Sequence, residues 1–278
     1  MKNEIIQTST GQIEYSIYGT GKPVLFLHGG HANSKETLTH KHLNTEQLML
    51  ITPSRPGYGN TPLANNKTPV AAAKYIVELM DKLGFASFCV VGISAGGLTA
   101  IAIAGLYPNR VEKLVLASST SKRWLQPTDG LYRKAQLLFH PKTEAFTWAM
   151  LRFFLKFLPS LIIKSMAKEL TTTKMKKFEE EEILDMKKML MTQRSKSGFV
   201  TDLEHDLDEN IITKITAPTL IVHSKNDNSI SKEHPLHAKQ KIKHSELIWV
   251  ENKWGHLIWV GKESKAIVDN IGVFLEKK

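Results

Sequence analysis

Short runs of apolar residues alternate with helical patterns along most of this chain, and that alternation limits the fold more than any other feature. Five runs are continuous: VLFL at 24–27, LMLI at 48–51, FCVVGI at 88–93, LVLA at 114–117 and TLIV at 219–222. A run without polar alternation is typical of a strand that is buried on both faces. Because helical patterns separate the runs, we predict the α/β class, with a mostly parallel sheet flanked by helices.

Local signals place the elements around these runs. Thr68 and Pro69 predict a helix start, and apolar residues keep helical spacing up to Gly84. QIEYSIYG, at residues 12–19, alternates with period two and predicts an opening strand at the edge of the sheet. We expect a last helix over roughly 258–276.

The alternation stops between residues 121 and about 210. This stretch favours helices and is rich in aromatic side chains, among them Trp124, Phe139, Phe146, Trp148, Phe153, Phe154 and Phe157. No repeat or low-complexity linker separates it from its neighbours. We therefore predict an inserted helical cap at 121–210, between two parts of an α/β core at 1–120 and 211–278.

Composition narrows the class of protein. The chain has 278 residues and is 42% apolar, which is enough for a sizeable core. It contains no run of about 18 uncharged apolar residues, so we expect no transmembrane helix. The N-terminal residues lack the apolar core of a signal peptide. The single cysteine, Cys89, excludes an internal disulfide and is expected in the core. These observations predict a cytoplasmic protein.

The charge balance is basic but does not point to a partner. The formal net charge is +10 and the pI is about 9.5, values that can indicate nucleic-acid binding. The lysines are scattered and no recognition motif accompanies them, so we expect no nucleic-acid partner. The densest charged stretch, TTTKMKKFEEEEILDMKK, mixes both signs and predicts a solvated helix face.

Ser94 stands in Gly92-Ile93-Ser94-Ala95-Gly96, between an apolar run and an alanine-rich helical pattern. Strand, turn and helix in this order form the context in which G-x-S-x-G builds a nucleophile elbow. Here the chain resembles the α/β-hydrolase fold superfamily, and within it the esterase-like serine hydrolases with a helical cap. A dinucleotide-binding turn would instead need glycine where Ser94 stands.

FLHGG, at residues 26–30, resembles the end of the strand that supplies the oxyanion hole in this family. The resemblance implies that the backbone N–H groups of Ala95 and Gly30 would hold an oxyanion, with Gly29 as the alternative to Gly30. His28 is expected to hold the loop. His31 takes the place of a third glycine, and it could line the pocket or face solvent.

A serine nucleophile needs a base, and the base needs a carboxylate to orient it. In this family the chain order is serine, acid, histidine. LIVHSKNDNSIS resembles the usual ending of strand seven and offers Asp227, and VENKWGHLIW resembles the loop after the last strand and offers His256. Asp202, Asp206 and Asp208 precede strand seven, so their Asn variants are expected to keep most activity.

The resemblance implies hydrolysis of a small or medium apolar carboxylic ester through an acyl-enzyme, with no metal and no organic cofactor. Trp148 and Phe154 are the candidate pocket residues in the cap. Thioesterase, peptidase, lactonase, carbon–carbon bond hydrolase and acyltransferase chemistry would use the same machinery and stay open. A non-catalytic protein that binds a ligand or a lipid surface with this fold also stays open. The oligomeric state is not predicted.

Overall fold

Eight strands form one sheet in the computed structural model, which describes residues 2–277. The strands are β1 (Lys2–Thr8), β2 (Gly11–Tyr18), β3 (Lys22–Leu27), β4 (Leu48–Pro53), β5 (Phe88–Ile93), β6 (Val111–Ala117), β7 (Thr219–Ser224) and β8 (Ser245–Val250). Their order in the sheet is β1-β2-β4-β3-β5-β6-β7-β8. The pairs β1–β2 and β2–β4 are antiparallel and all the others are parallel. The predicted mostly parallel sheet is confirmed.

Most helices of the described residues lie between strands, and one follows the last strand. They are α1 (Pro69–Lys82), α2 (Gly97–Leu106), α3 (Gly130–Phe139), α4 (Glu144–Phe157), α5 (Pro159–Leu170), α6 (Glu180–Thr192), α7 (Gly198–Leu203), α8 (Glu209–Ile212), α9 (Glu233–Lys241) and α10 (Ser264–Glu276). The Thr68 side chain caps α1 by accepting the Ala71 N–H at 3.2 Å. The last helix begins at Ser264, later than predicted. None of these helices is long and apolar enough to cross a membrane.

The edge of the sheet differs from the prediction. QIEYSIYG belongs to β2, which lies between β1 and β4, so β1 takes the edge position. Thr8 pairs with Gly11, and the two strands form a hairpin. Most side chains of β1 are exposed, which an antiparallel edge strand tolerates. Its sequence, KNEIIQT, therefore lacks the apolar pattern by which a strand is recognised.

Alternate residues of the central strands pack on opposite faces of the sheet. Val91 of β5 belongs to a core shared with α10 and the helices that follow β6. Val90 belongs to a second core, which is shared with α1 and α2. Cys89 is fully buried in the first core, as the sequence predicts. The strands are therefore covered on both faces, which explains their continuous apolar runs.

Six helices, α3 to α8, lie between β6 and β7, where the sequence loses its alternation. Pro159 begins α5 directly after α4, a position that suits its fixed φ and missing N–H. Trp148, Leu155 and Ile163 anchor these helices to the same core as Val91. The domain boundaries at 120 and 210 stay predictions.

Two carboxylates of α6 do not lie on the solvated face that the sequence predicts. Glu182 is 4% exposed and Asp185 is 5% exposed. Lys253 and the indole N–H of Trp254 both donate hydrogen bonds to Glu182, at 2.7 to 2.9 Å. Lys41 donates to Asp185 at 2.8 Å. A charged helix therefore attaches through ion pairs to the loop after β8 and to the segment after β3.

Arg55 and Asp202 form a buried ion pair between the loop after β4 and α7. Two guanidinium nitrogens of Arg55 each donate to one oxygen of Asp202 at 2.7 Å, and the Tyr58 hydroxyl donates to the same carboxylate. The charged side chains are only 2% and 3% exposed. Burial alone would raise the pKa of Asp202, but the charge of Arg55 and these hydrogen bonds lower it. Asp202 therefore has a structural role that the sequence does not predict, and the expectation that Asp202→Asn keeps most activity stays a prediction.

Asp202→Asn should lower the free energy of unfolding by about 3 kcal/mol or more, because it leaves the Arg55 charge buried without its partner. Urea denaturation at neutral pH measures this change. The matched control is Asp206→Asn, since Asp206 is exposed and should change stability by no more than about 0.5 kcal/mol. Equal stabilities of the two variants would show that the ion pair has no structural role.

Candidate active site

Ser94 lies at a sharp turn between β5 and α2. A single 3₁₀ turn, residues 94–96, joins the strand to the helix. Ser94 has a φ of +50°, which is uncommon for a residue with a side chain and occurs mainly where surrounding structure imposes it. A Cβ atom at Gly96 would collide with the carbonyl oxygen of Leu27, so glycine allows the helix to start against β3. The turn places Ser94 at the carboxyl end of the sheet.

Ser94, His256 and Asp227 form a continuous chain of hydrogen bonds. His256 Nε2 lies 3.0 Å from Ser94 Oγ, and His256 Nδ1 lies 2.9 Å from Asp227 Oδ2. When Nδ1 carries the proton and donates to the carboxylate, Nε2 can accept the hydroxyl proton of the serine. The structure thus brings together the three residues that the sequence predicts for this role.

Asp227 is buried and held in one orientation. Its Oδ1 accepts the N–H groups of Ser229 and Ile230 at 2.8 and 2.9 Å. His223 lies on its other side and donates from Nε2 to the Ile230 carbonyl at 3.1 Å. Burial alone would raise the pKa of Asp227, but the charge and hydrogen bond of His256 lower it. The carboxylate is therefore ionised at neutral pH and faces the imidazole.

Gly255 and Leu170 position the backbone of His256. Gly255 has a φ of +54°, and a Cβ atom there would lie 2.5 Å from the Asn226 carbonyl oxygen. The Leu170 carbonyl accepts the N–H groups of His256 at 2.9 Å and of Asn228 at 3.3 Å. Because Leu170 ends α5, the inserted helices contact both the loop after β7 and the loop after β8.

The backbone near Gly30 and Ala95 forms the wall beside Ser94. Gly29, Gly30 and Ala95 all line the cavity that contains Ser94. A Cβ atom at Gly30 would lie 2.8 Å from the Phe199 ring, so a larger residue would collide there. Within residues 2–277, no group accepts a hydrogen bond from the Gly30 N–H. The choice between Gly30 and Gly29 as an oxyanion donor stays a prediction.

His28 holds the loop after β3. Its Nδ1–H donates to the Gly29 carbonyl at 2.8 Å, and its Nε2 accepts the Arg55 N–H at 3.0 Å. Burial lowers the pKa of His28 to about 3. A neutral ring with both nitrogens occupied orients backbone and is not free to carry protons.

A cavity of about 350 Å³ lies beside Ser94 and His256. Much of its lining is apolar and comes from the inserted helices and the segments between them, including Trp124, Leu138, Phe139, Trp148, Met166 and Phe199. A volume in this range suits a small or medium ligand. The segment between β6 and β7 therefore shapes the space above the serine.

His31 lines this cavity. Its ring centroid lies 3.8 Å from that of Phe199 and 4.4 Å from that of Phe139, and desolvation lowers its pKa to about 3. Ser195 Oγ lies 2.7 Å from both Trp148 Nε1 and His31 Nδ1. Because the indole N–H can only donate, the serine hydroxyl accepts that bond, and its own proton is available for His31 Nδ1 when that nitrogen is unprotonated. His31 is therefore a neutral residue of the cavity wall, and it is held by two aromatic rings and by Ser195.

Trp148 lines the cavity and Phe154 does not, although both lie on α4. Trp148 is 2% exposed, whereas Phe154 is 41% exposed and packs its ring against Phe153. Six residues correspond to a rotation of about 240° around a helix, so Phe154 lies on the outer side. The prediction of Phe154 as a pocket residue is wrong.

Sequence reasoning missed two polar residues of the cavity, Glu36 and Thr39. Glu36 Oε1 accepts the Leu38 N–H at 2.6 Å, and burial raises the pKa of the Glu36 carboxyl. Thr39 is 9% exposed, and its hydroxyl has no hydrogen-bond partner among the residues that the structure describes. Neither belongs to a motif. Only their position, shortly after the HGG loop, could have pointed to the site.

The described part of the chain contains no cluster of three or more His, Cys, Asp or Glu side chains that could hold a metal ion. Two other buried or partly buried histidines contact Ser121 instead of Ser94. His234 Nδ1 accepts the Ser121 N–H at 3.1 Å, and His237 Nδ1 lies 2.9 Å from Ser121 Oγ. The geometry leaves His256 as the histidine that contacts Ser94.

Known proteins resemble this chain over nearly its full length. A family model described as alpha/beta hydrolase fold matches residues 22–262. The uncharacterized hydrolase YcgS of Bacillus subtilis is 36% identical over 279 residues, which cover 98% of each chain. A 2-hydroxy-6-oxononadienedioate/2-hydroxy-6-oxononatrienedioate hydrolase of a Pseudomonas species is 24% identical over 91% of this chain and 90% of its own. The esterase EaEST of Exiguobacterium antarcticum, a solved structure 21% identical, gives a TM-score of 0.74 over 99% of this chain and 100% of its own.

Proposed function

The chain is a hydrolase that belongs to the α/β-hydrolase fold family, and from this premise we propose that it cleaves a carboxylic ester through an acyl-enzyme. One observation carries the proposal: the hydrogen-bonded chain from Asp227 through His256 to Ser94 ends at an apolar cavity. In the proposed reaction Ser94 is the nucleophile, His256 the general base and Asp227 the group that orients and stabilises the charged imidazole.

The reaction has two halves. Ser94 Oγ attacks the ester carbonyl carbon while His256 Nε2 takes the hydroxyl proton. The C–O bond to the alcohol then breaks, and the alcohol oxygen receives that proton from His256. A water molecule attacks the acyl-enzyme with His256 again as base, which releases the acid and restores Ser94.

The backbone would stabilise the charge that develops in each half-reaction. The proposed donors are the N–H groups of Gly30 and Ala95, which line the cavity together with Ser94. Donors fixed before the reaction are effective because the oxyanion forms without reorganising its surroundings. Glycine at position 30 keeps this wall close to the Phe199 ring.

The cavity supports a small or medium apolar substrate. In this proposal α3 to α7 act as a cap whose side chains contact the acyl or alcohol part. A second candidate reaction is carbon–carbon bond hydrolysis, because the Pseudomonas relative of that name aligns with most of this chain. Both reactions use a serine, a histidine and an acid, so the experiment must compare an ester with a substrate for carbon–carbon cleavage.

A substrate panel tests the proposal. The panel contains p-nitrophenyl esters of acetic, hexanoic and decanoic acid, an acyl thioester, an anilide, a lactone and a vinylogous diketone. We expect the largest kcat/KM for an ester, with a pre-steady-state burst of nitrophenol equal to the enzyme concentration. A larger kcat/KM for the diketone would favour carbon–carbon cleavage, and no turnover of any member would favour a binding protein.

Trp148→Phe should shift the acyl-chain preference towards longer esters, because the smaller ring enlarges the cavity. Room for about one methylene group changes discrimination by roughly tenfold or more. The measurement is kcat/KM for the three nitrophenyl esters. Phe154→Ala on the outer side of the same helix is the matched control and should leave the profile unchanged. A shift with Phe154→Ala alone would contradict this assignment of the two faces.

A further inference from the structure

The outer side of α4 carries a continuous apolar stripe that no part of the described chain covers. Phe146, Met150, Phe153, Phe154 and Phe157 follow the spacing i, i+4, i+7, i+8 and i+11, which places them on one side of a helix. Their exposed fractions range from 37% to 70%. The opposite side of α4 already supplies Trp148 and Leu155 to the core. One apolar face of α4 therefore packs in the core, and a second apolar face is exposed.

We call the stripe, together with the exposed Leu137 and Leu161 on the adjacent helices, the outer face. Leu137 is 72% exposed and Leu161 is 60% exposed. The rings of Phe153 and Phe157 pack against each other with centroids 5.2 Å apart, so part of the stripe forms a single cluster. Large contiguous apolar patches are rare on the free surface of monomeric proteins and mark sites of interaction.

The outer face continues to the rim of the cavity. The Thr147 hydroxyl donates to the Leu138 carbonyl at 2.8 Å, which ties the end of α3 to the start of α4 beside Phe146. Leu138 is 37% exposed and also lines the cavity. A surface that covers the outer face would therefore lie beside the cavity that contains Ser94.

Basic side chains flank the outer face, and Glu169 near the end of α5 pairs with Lys134 of α3. Residues 145–168 contain Arg152, Lys156, Lys164 and Lys168 but no Asp or Glu. The three lysines are exposed, and no carboxylate among the described residues pairs with them. Aromatic side chains beside unpaired lysines fit a surface that is apolar beneath a layer of negative charge.

We propose that the outer face adsorbs to an anionic lipid surface and brings the cavity rim to the lipid. A second copy of this chain is the poorer occupant, because a two-fold contact pairs the same patch on both copies and would bring two basic patches together. Adsorption itself does not need Ser94. The added consequence, that lipophilic esters reach the cavity from the lipid, rests on the proposed function.

Vesicle co-sedimentation tests the adsorption. The protein carries Ser94→Ala so that lipid stays intact, and the vesicles are either pure phosphatidylcholine or a mixture with phosphatidylglycerol. We expect binding to the mixed vesicles that weakens with salt. Phe153→Ser with Phe157→Ser, and separately Lys164→Glu with Lys168→Glu, should each weaken binding at least about tenfold.

Matched controls remove equivalent groups outside the outer face. Leu236→Ser with Val273→Ser removes two exposed apolar side chains, and Lys214→Glu with Lys243→Glu reverses two exposed charges. Both control pairs should bind like the parent protein. The two outer-face double variants and the two control double variants are also made with Ser94 retained. Each should hydrolyse p-nitrophenyl acetate as fast as the unsubstituted protein, which also shows that the variants fold.

Three results would overturn the proposal. These are no binding to the mixed vesicles, equal binding to both kinds of vesicle, or binding that survives both outer-face pairs. A dimer that Phe153→Ser with Phe157→Ser dissociates would likewise overturn it, by assigning the face to a second copy. If the unsubstituted protein hydrolyses no ester but Ser94→Ala binds vesicles as expected, the proposed function fails and the lipid surface stands.

Discussion

Ser94→Ala should lower ester hydrolysis by about 10⁶-fold and abolish covalent labelling by a fluorophosphonate probe. The expected loss is this large because the nucleophile, base and acid act as a unit, so removing one disables all three. The structure places the Ser94 hydroxyl 3.0 Å from His256 Nε2. Mass spectrometry of the intact protein should show one added phosphonyl group, absent from the variant.

The matched control for this experiment is Ser229→Ala. Ser229 also lines the cavity, but its contribution to Asp227 comes from the backbone N–H, which alanine retains. This control should keep labelling and most of the hydrolysis. Labelling that persists in Ser94→Ala and disappears in Ser229→Ala would reverse the assignment of the nucleophile.

Asp227→Asn should lower turnover by roughly 10⁴-fold while the fold is retained. The amide N–H can donate a hydrogen bond to His256 Nδ1, and the neutral ring would then carry its proton on Nε2, where it cannot accept a hydrogen bond from Ser94. The loss of negative charge also leaves the imidazolium without its partner. The measurement is kcat for the best nitrophenyl ester, with the melting temperature recorded for each variant.

Asp206→Asn is the control for this substitution, because Asp206 is exposed and, among residues 2–277, its carboxylate bonds only to the adjacent Leu207 N–H. It should keep most of the activity. If it damaged turnover as strongly as Asp227→Asn, the acid would have to come from before β7 and the loop after β7 would have another role.

The positions of Ser94, Asp227 and His256 could be predicted because each follows a strand that the sequence marks clearly. Parallel strands end at the same edge of a sheet, so polar residues that follow such runs are brought together without any knowledge of their contacts. The Gly residues next to Ser94 and His256 add a local signal, because each turn needs a backbone without a Cβ atom.

The lining of the cavity could not be predicted in the same way. On α4 both sides are apolar, so periodicity alone gives no reason to prefer Trp148 over Phe154 as the inward residue. The decision comes from tertiary packing: Trp148 donates to Ser195 across the cavity wall. The edge strand β1 was missed for a related reason, since its exposed side chains carry no apolar pattern.

The burial of charged side chains could not be predicted from the sequence either. Arg55 lies in a loop rich in Pro and Gly, and its partner Asp202 lies far along the chain in α7. Nothing local distinguishes either residue from a solvated one. Glu182 and Asp185 show the same problem, because the adjacent carboxylates Glu180 and Glu181 are exposed and only the packed helix reveals which carboxylates are buried.

The bonds that tie the inserted helices to the rest of the molecule limit how its substrate range can change. Replacing residues 121–210 as a block with the corresponding piece of a relative would remove Asp202 from Arg55 and the Leu170 carbonyl from the His256 backbone. A graft would thus lose stability and disturb the base together. Single substitutions in the cavity wall keep both contacts. The substrate preference of this protein can therefore change one residue at a time more readily than by exchange of the whole inserted segment.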